Sequence, residues 1–189
     1  MMWPLLMTSF ITLSVVIERV IFLVRESRQR DPRMVKQILA NVESGKIAAA
    51  VTAGQDTQDF VAKPLVYGLS HRQDSFANAL LVSANTELKR FGRGLSTLDT
   101  IITLAPLLGL LGTVTGLIHA FGLLGDRGLD APTVITGGIS EALIATAFGL
   151  FIAIIALIPF NYLNKRAEDA RQEIEDAGTY VELLLTKQR

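Results

Sequence analysis

The sequence contains no cysteine. That excludes disulfides, thiolate metal sites and cysteine nucleophiles, and it leaves the redox compartment unreadable. Histidine is nearly as scarce: His71 and His119 lie far apart and show no metal-ligand spacing. Neither sign of charge dominates. Lys plus Arg and Asp plus Glu number 18 each, so nothing in the net charge points to nucleic acid. Enzyme signatures are also missing. There is no nucleotide loop ending in Lys-Ser/Thr, no GxSxG, and no pair of carboxylates in a polar pocket. The chain is therefore read as a non-enzyme with no cofactor and no metal. The N-terminus, MMWPLLM, lacks the basic region and small-residue cleavage pattern of a signal peptide, and it is expected to open a retained membrane helix.

What the chain does have is apolar sequence in blocks: half of its residues are hydrophobic and its mean hydropathy is +0.40. The central block is Thr133 to Tyr162, TVITGGISEALIATAFGLFIAIIALIPFNY, whose one charge is Glu141. As a helix it would be about 45 Å long, more than a bilayer core of about 30 Å requires. Gly138, Ala142, Ala145, Gly149, Ala153 and Ala156 recur every third or fourth residue and form one narrow stripe. Such a stripe lets another backbone approach closely inside lipid. Glu141 and Thr146 fall on opposite flanks of it. A lone carboxylate beside a packing seam in an apolar helix is a functional candidate.

The remaining blocks give the organisation. Residues 1–24 read as a first transmembrane helix, with Trp3 suited to one interface and Glu18-Arg19 near the other. Arg19 is expected to snorkel outward as an interfacial anchor, with an inter-subunit or partner salt bridge through Glu18 and Arg19 as the functional alternative. Residues 25–100 are polar and helical in pattern, interrupted at Ser44-Gly45, over Val51 to Gln58 and at Lys63-Pro64. Ser70-His71-Arg72 reads as an exposed turn. From Ser75 a seam of Phe76, Leu80, Ala84, Leu88, Phe91, Leu95 and Leu98 predicts one long amphipathic helix running on into the next apolar block. That block, residues 101–124, is a second span with no charged side chain and a second stripe of Ala105, Gly109, Gly112, Gly116 and Ala120. Residues 125–132 form a short turn, so the second and third spans make an antiparallel hairpin. The third transmembrane helix covers 133–163, and 164–189 continue it as a charged C-terminal helix.

Eleven Lys and Arg lie between 25 and 100 and five after 164, against one in the 125–132 turn. The positive-inside bias puts both polar regions in the cytoplasm and the turn in the periplasm. The fold class is an all-α membrane protein of three transmembrane helices, N-out and C-in, with long helical cytoplasmic extensions. The soluble parts look like elongated helices without a cleft. Pro106 and Pro159 can kink their helices. Chemistry must then lie in the membrane, where the polar inventory is Glu141, Thr113, Thr115, Thr136, Ser140, Thr146 and His119, with Thr8, Ser9, Thr12 and Ser14 on span one. Many such hydroxyls bond their own backbone, and His119 reads as an interfacial residue. The sharper reading is a partly polar lining between spans two and three. One carboxylate does not complete a proton relay through a single subunit. Either several copies surround a shared axis or a partner helix supplies the missing ionisable group, and the two stripes invite further helices to pack.

Leu104 to Gly116 (LAPLLGLLGTVTG) and Gly137 to Gly149 (GGISEALIATAFG), in that order and topology, resemble the MotA/TolQ/ExbB proton channel family, on its ExbB/TolQ branch. The resemblance covers nearly the whole chain, including Glu18-Arg19. It implies a multi-pass protein of the bacterial inner membrane that forms a homopentamer around a central pore. It implies a dimer of single-span partners of the ExbD/TolR type in that pore, contributing a protonatable aspartate, and a TonB- or TolA-like protein that receives the motion. By motif, the pore and proton-path residues fall on Thr113, Thr146 and Glu141, and helix packing on Gly109, Gly112, Gly116, Gly138, Ala142, Ala145 and Gly149. MotA-like members have four spans and a larger cytoplasmic region, which argues against a flagellar-motor stator. A membrane scaffold that conducts nothing, with Glu141 hydrogen-bonded at a helix interface, is the reading from a different class. A solute transporter is weak, because three spans carry no inverted repeat or polar midplane site.

Overall fold

The computed structural model describes residues 2–127 and 132–187. Among them the chain is all α-helical: α1 Met2–Gln29, α2 Pro32–Glu43, α3 Ile47–Ala53, α4 Ala62–Ser70, α5 Arg72–Gly92, α6 Leu95–Arg127 and α7 Pro132–Lys187. Three of these helices contain stretches long and apolar enough to cross a membrane, lying in α1, α6 and α7. The chain divides into two compact units, Met1–Arg19 with Gly94–Tyr162, and Val20–Arg93 with Leu163–Arg189. We refer to them as the membrane unit and the helical unit.

In the membrane unit α6 and α7 pack antiparallel, seam to seam. A Cβ built on Gly149 would lie 2.5 Å from the Ala105 carbonyl oxygen, and one on Gly109 would lie 3.0 Å from the Ala145 carbonyl oxygen. Further along, Gly116 faces Ala142 and Gly138 faces Ala120. The two stripes thus fill one another. The expectation that they invite further helices is corrected: each backbone already occupies the space the other leaves open. Pro106 and Pro159 sit inside α6 and α7 without ending either helix.

α1 buries Leu5, Thr8, Thr12 and Arg19, which share one face, while Trp3, Met7, Phe10 and Ile21 stay exposed. Its hydroxyls are spent locally. Thr8 donates to the Pro4 carbonyl at 2.8 Å and Thr12 to the Thr8 carbonyl at 2.7 Å, the i−4 bond that lets a hydroxyl sit in an apolar helix. Arg19 does not snorkel outward as expected. It is 2 % exposed, grips Glu18 through Nε at 2.7 Å and Nη2 at 2.5 Å, and lays its methylenes beside Gly94. Glu18 is the exposed member, at 53 %. A guanidinium with a bidentate carboxylate partner can leave water where a bare cation cannot.

The single helix expected from Ser75 into the second span is two. Arg93 is extended (φ −61°, ψ 134°) and Gly94 has φ +77°, so α5 ends and α6 starts afresh. A side chain at Gly94 would be strained by that φ and would press on Val15 at 3.1 Å. Ser75 itself is non-helical (φ −169°, ψ 111°).

The helical unit is more than a set of elongated helices. α2, α3, α4, α5 and the ends of α1 and α7 enclose a core that includes Ile38, Val42, Leu65, Leu69, Phe76, Phe91, Ile174 and Val181. Fully buried side chains such as Ile38 and Leu65 contribute about 1.5–3 kcal/mol each. Asp31 caps α2, accepting from the backbone N–H of Arg33 and Met34, with Pro32 at the first helical position. α3 occupies part of the 51–58 stretch read as a connection. Lys63-Pro64 is not a break: Pro64 lies in the first turn of α4, where a missing N–H costs nothing. His71 does sit in an exposed turn, its Nδ1 3.0 Å from the Tyr67 carbonyl and its ring against that tyrosine.

An ionic network holds this unit. Asp59, fully buried, accepts from the backbone N–H of Val61 (2.8 Å), Ala62 (3.0 Å) and Asp31 (2.6 Å) and from the Arg30 guanidinium. Arg30 also reaches Glu173 at 2.5 Å. Burial alone would raise the Asp59 carboxyl, but the Ala62 N–H, the Arg30 guanidinium and the Asp31 and Val61 N–H groups outweigh it and hold it below its ordinary value. Glu26 goes the other way. Burial raises it, opposed by Arg90 and reinforced by Glu87 and Asp59. Its Oε2 takes Arg90 at 3.1 Å while its buried Oε1 has no hydrogen-bond partner among the described residues.

Candidate functional site

The polar groups of the α6–α7 hairpin sort by position relative to the seam. One residue along a helix is a turn of about 100°. On antiparallel helices facing seam to seam, the residues that precede seam positions by one fall on the same flank, and those that follow by one fall on the other. Thr115, His119 and Glu141 precede Gly116, Ala120 and Ala142. Thr113 and Thr146 follow Gly112 and Ala145.

The packing follows that division. Thr115, His119 and Glu141 line one groove of about 260 Å³, whose other walls are seam residues of both helices and Met2 of α1. Thr113 and Thr146 are not part of it. On their flank the Thr146 hydroxyl crosses the seam and donates to the Gly109 carbonyl at 3.0 Å. In a helix that carbonyl is the one bonded by the Thr113 N–H, so Thr146 touches the turn that leads to Thr113. The Thr113 hydroxyl is spent on its own helix, donating to the Leu110 carbonyl at 2.6 Å. Thr115 does likewise, to Leu111 at 2.9 Å and Gly112 at 3.2 Å. Within one chain the structure brings Thr113 near Thr146 and keeps both away from Glu141.

Glu141 is exposed in the isolated chain, and Thr113 and Thr146 are partly covered. Gly109, Gly112, Ala142, Ala145 and Gly149 are buried in the seam, and Gly116 and Gly138 are half-buried there. Glu18 and Arg19 pair with each other. The groove places Thr115 and His119 on the same lining as Glu141, which the motifs did not. The signal was present: each stands one residue before a stripe position, and reading both stripes as a facing antiparallel pair would have found the shared flank. Among the described residues no cluster of acidic or histidine side chains could hold a metal ion. The turn 125–132 lies largely outside the described residues.

A carboxyl group in such a place can hold or release a proton. The hydroxyls around it are committed to backbone carbonyls, and offer only their lone pairs.

Comparison with known proteins agrees with this architecture. The sequence profile described as the MotA/TolQ/ExbB proton channel family matches residues 52–176. An ExbB-like biopolymer transport protein of Synechocystis sp. is 37 % identical over 189 aligned positions, covering 97 % of this chain and 74 % of that protein. The biopolymer transport protein ExbB of Neisseria gonorrhoeae is 36 % identical over 102 residues, and the Tol-Pal system protein TolQ of Haemophilus influenzae 35 % over 108. Those two matches cover 54 % and 57 % of this chain and 46 % of each relative, so the chain spans about half their length.

Proposed function

This chain belongs to the MotA/TolQ/ExbB proton channel family, a multi-pass membrane subunit of its ExbB/TolQ branch, and on that premise we propose that it is the proton-channel, stator-like subunit of an inner-membrane energy-transducing complex. Proton motive force acting through this complex drives TonB-dependent uptake or Tol-Pal type envelope work. Several copies, five by family resemblance, surround an axis with the second and third spans facing it, N-terminus outward and C-terminus in the cytoplasm. A dimer of ExbD/TolR-like single-span partners occupies the axis and supplies a second acid, and a TonB- or TolA-like protein takes up the motion. The observation that carries this reading is Glu141: one carboxyl group in an apolar hairpin, set in a groove rather than in the seam.

The transmembrane potential provides about 2.3 kcal/mol per elementary charge per 100 mV. One proton therefore does little work, and coupling requires an assembly with two preformed states. The tightly interlocked α6–α7 seam supports a hairpin that moves as a rigid body. The ExbB and TolQ relatives match at nearly equal identity, so the choice between the two systems rests on the partner.

The test is proton flux into liposomes holding the complex purified from its own membrane. Wild type conducts only when the single-span partner is present. Glu141→Gln and Thr146→Val each abolish flux with the oligomer intact. Full flux in both variants, or none in wild type with the partner bound, leaves the scaffold reading.

A further inference from the structure

His119 stands in the same groove as Glu141, on the facing helix. The groove's walls are otherwise small seam residues, the committed hydroxyl of Thr115, and Met2 from α1, the one other helix that contributes to it. Among the described residues that line it, His119 and Glu141 are the only ionisable ones. Flank geometry and groove lining place them together independently. An imidazole and a carboxyl group that line one groove can pass a proton between them directly or through a single water.

We propose that His119 is a second proton-carrying residue of this chain, acting with Glu141 as a pair through which protons enter; this deepens the channel reading and rests on it. A hydronium ion at the groove mouth gives a proton to the neutral imidazole and becomes water. The imidazolium then passes a proton to the Glu141 carboxylate, which becomes the neutral acid as the imidazole is restored. Glu141 delivers that proton onward and is a carboxylate again. Each cycle moves one proton and leaves both side chains unchanged. Histidine suits this position because an imidazole can accept a proton on one ring nitrogen and give one up from the other. The Thr113–Thr146 flank takes no part in this step.

Two measurements test it. In the His71→Asn background, His119 is the one histidine, and nitrogen NMR of the labelled chain in nanodiscs reads its ring nitrogens. Glu141→Gln should move those resonances at fixed pH, whereas Leu143→Ala on the same helix should not. Resonances that Glu141→Gln leaves unmoved mean the two groups do not sense each other and overturn the proposal. In the liposome assay, His119→Asn and His119→Gln should cut partner-dependent flux at least about a hundredfold, the usual weight of a positioned proton donor, and remove one limb of its pH profile. Wild-type flux and profile in both variants overturns the relay even if Glu141→Gln moves the His119 resonances. Should Glu141→Gln conduct normally, the channel reading fails, whereas the NMR coupling is judged on its own.

Discussion

Adding one methyl group at Gly149 should part the α6–α7 hairpin. The Cβ would lie 2.5 Å from the Ala105 carbonyl oxygen and 3.0 Å from the Gly109 Cα. Both are backbone, so no rotamer change relieves them. Ordinary contact begins near 3.4 Å, and the helices must separate by roughly 1 Å at this level. A gap of that size forfeits about a quarter to a half of each dispersion contact it opens, and overpacking of close-packed interiors costs about 1–3 kcal/mol. Against this, Gly to Ala in a helix returns up to about 1 kcal/mol. The net expectation is a loss of about 1–2 kcal/mol for Gly149→Ala. Gly137→Ala, in the same helix, adds a Cβ that meets nothing within 4 Å, and should be neutral or stabilising. Reversible unfolding in detergent micelles by denaturant titration measures both. Equal effects of the two substitutions, or a more stable Gly149→Ala, would refute the seam geometry.

Two predictions concern the helical unit. Asp59→Ala strips a buried acceptor from three N–H groups and Arg30, and should cost about 3–5 kcal/mol. Because the folded Asp59 carboxyl lies below its unfolded value, its contribution is complete above the unfolded pKa and is lost as pH falls through the folded one. Denaturation at a series of acidic pH values should show that limb in wild type and not in Asp59→Ala. Glu26 has the opposite sign: its carboxyl is raised, so its contribution is complete below the unfolded pKa and is lost as pH rises through the folded one. Glu26→Gln should abolish this decline, as seen by unfolding at a series of pH values above the ordinary carboxyl range, and a slope identical to wild type would count against the buried, half-unpaired carboxylate.

The hairpin was the most legible part of the sequence, because a stripe of small residues is a statement about backbone distance that needs no tertiary context. Each stripe alone, however, does not say what fills it, and the two proved to fill each other. Gly94 was harder. A glycine softens any helix, but a φ of +77° with Val15 and Arg19 packed close by, both distant in sequence, is a tertiary fact. Arg19 misled for a related reason, since snorkelling is the rule for a cation without a partner and this one holds Glu18 bidentately. Asp59 gave no sequence signal at all. Its importance comes from Arg30, 29 positions away, which in turn reaches Glu173, 143 positions from Arg30. His119 looked interfacial while its helix was read alone, and its place in the groove with Glu141 emerged only when the facing helix was considered.

The central claim is that position 141 reaches water inside the assembly and does not face lipid. Because the chain has no native cysteine, single cysteines report local access without background. In the assembled complex Glu141→Cys should react with a membrane-impermeant thiol reagent at least about tenfold faster than Leu143→Cys, since thiolate forms only where water reaches the sulfur. Leu143 is a suitable reference because it is 63 % exposed on the apolar surface of the same helix. Equal rates, or a faster reaction at 143, would place Glu141 against lipid and contradict the account.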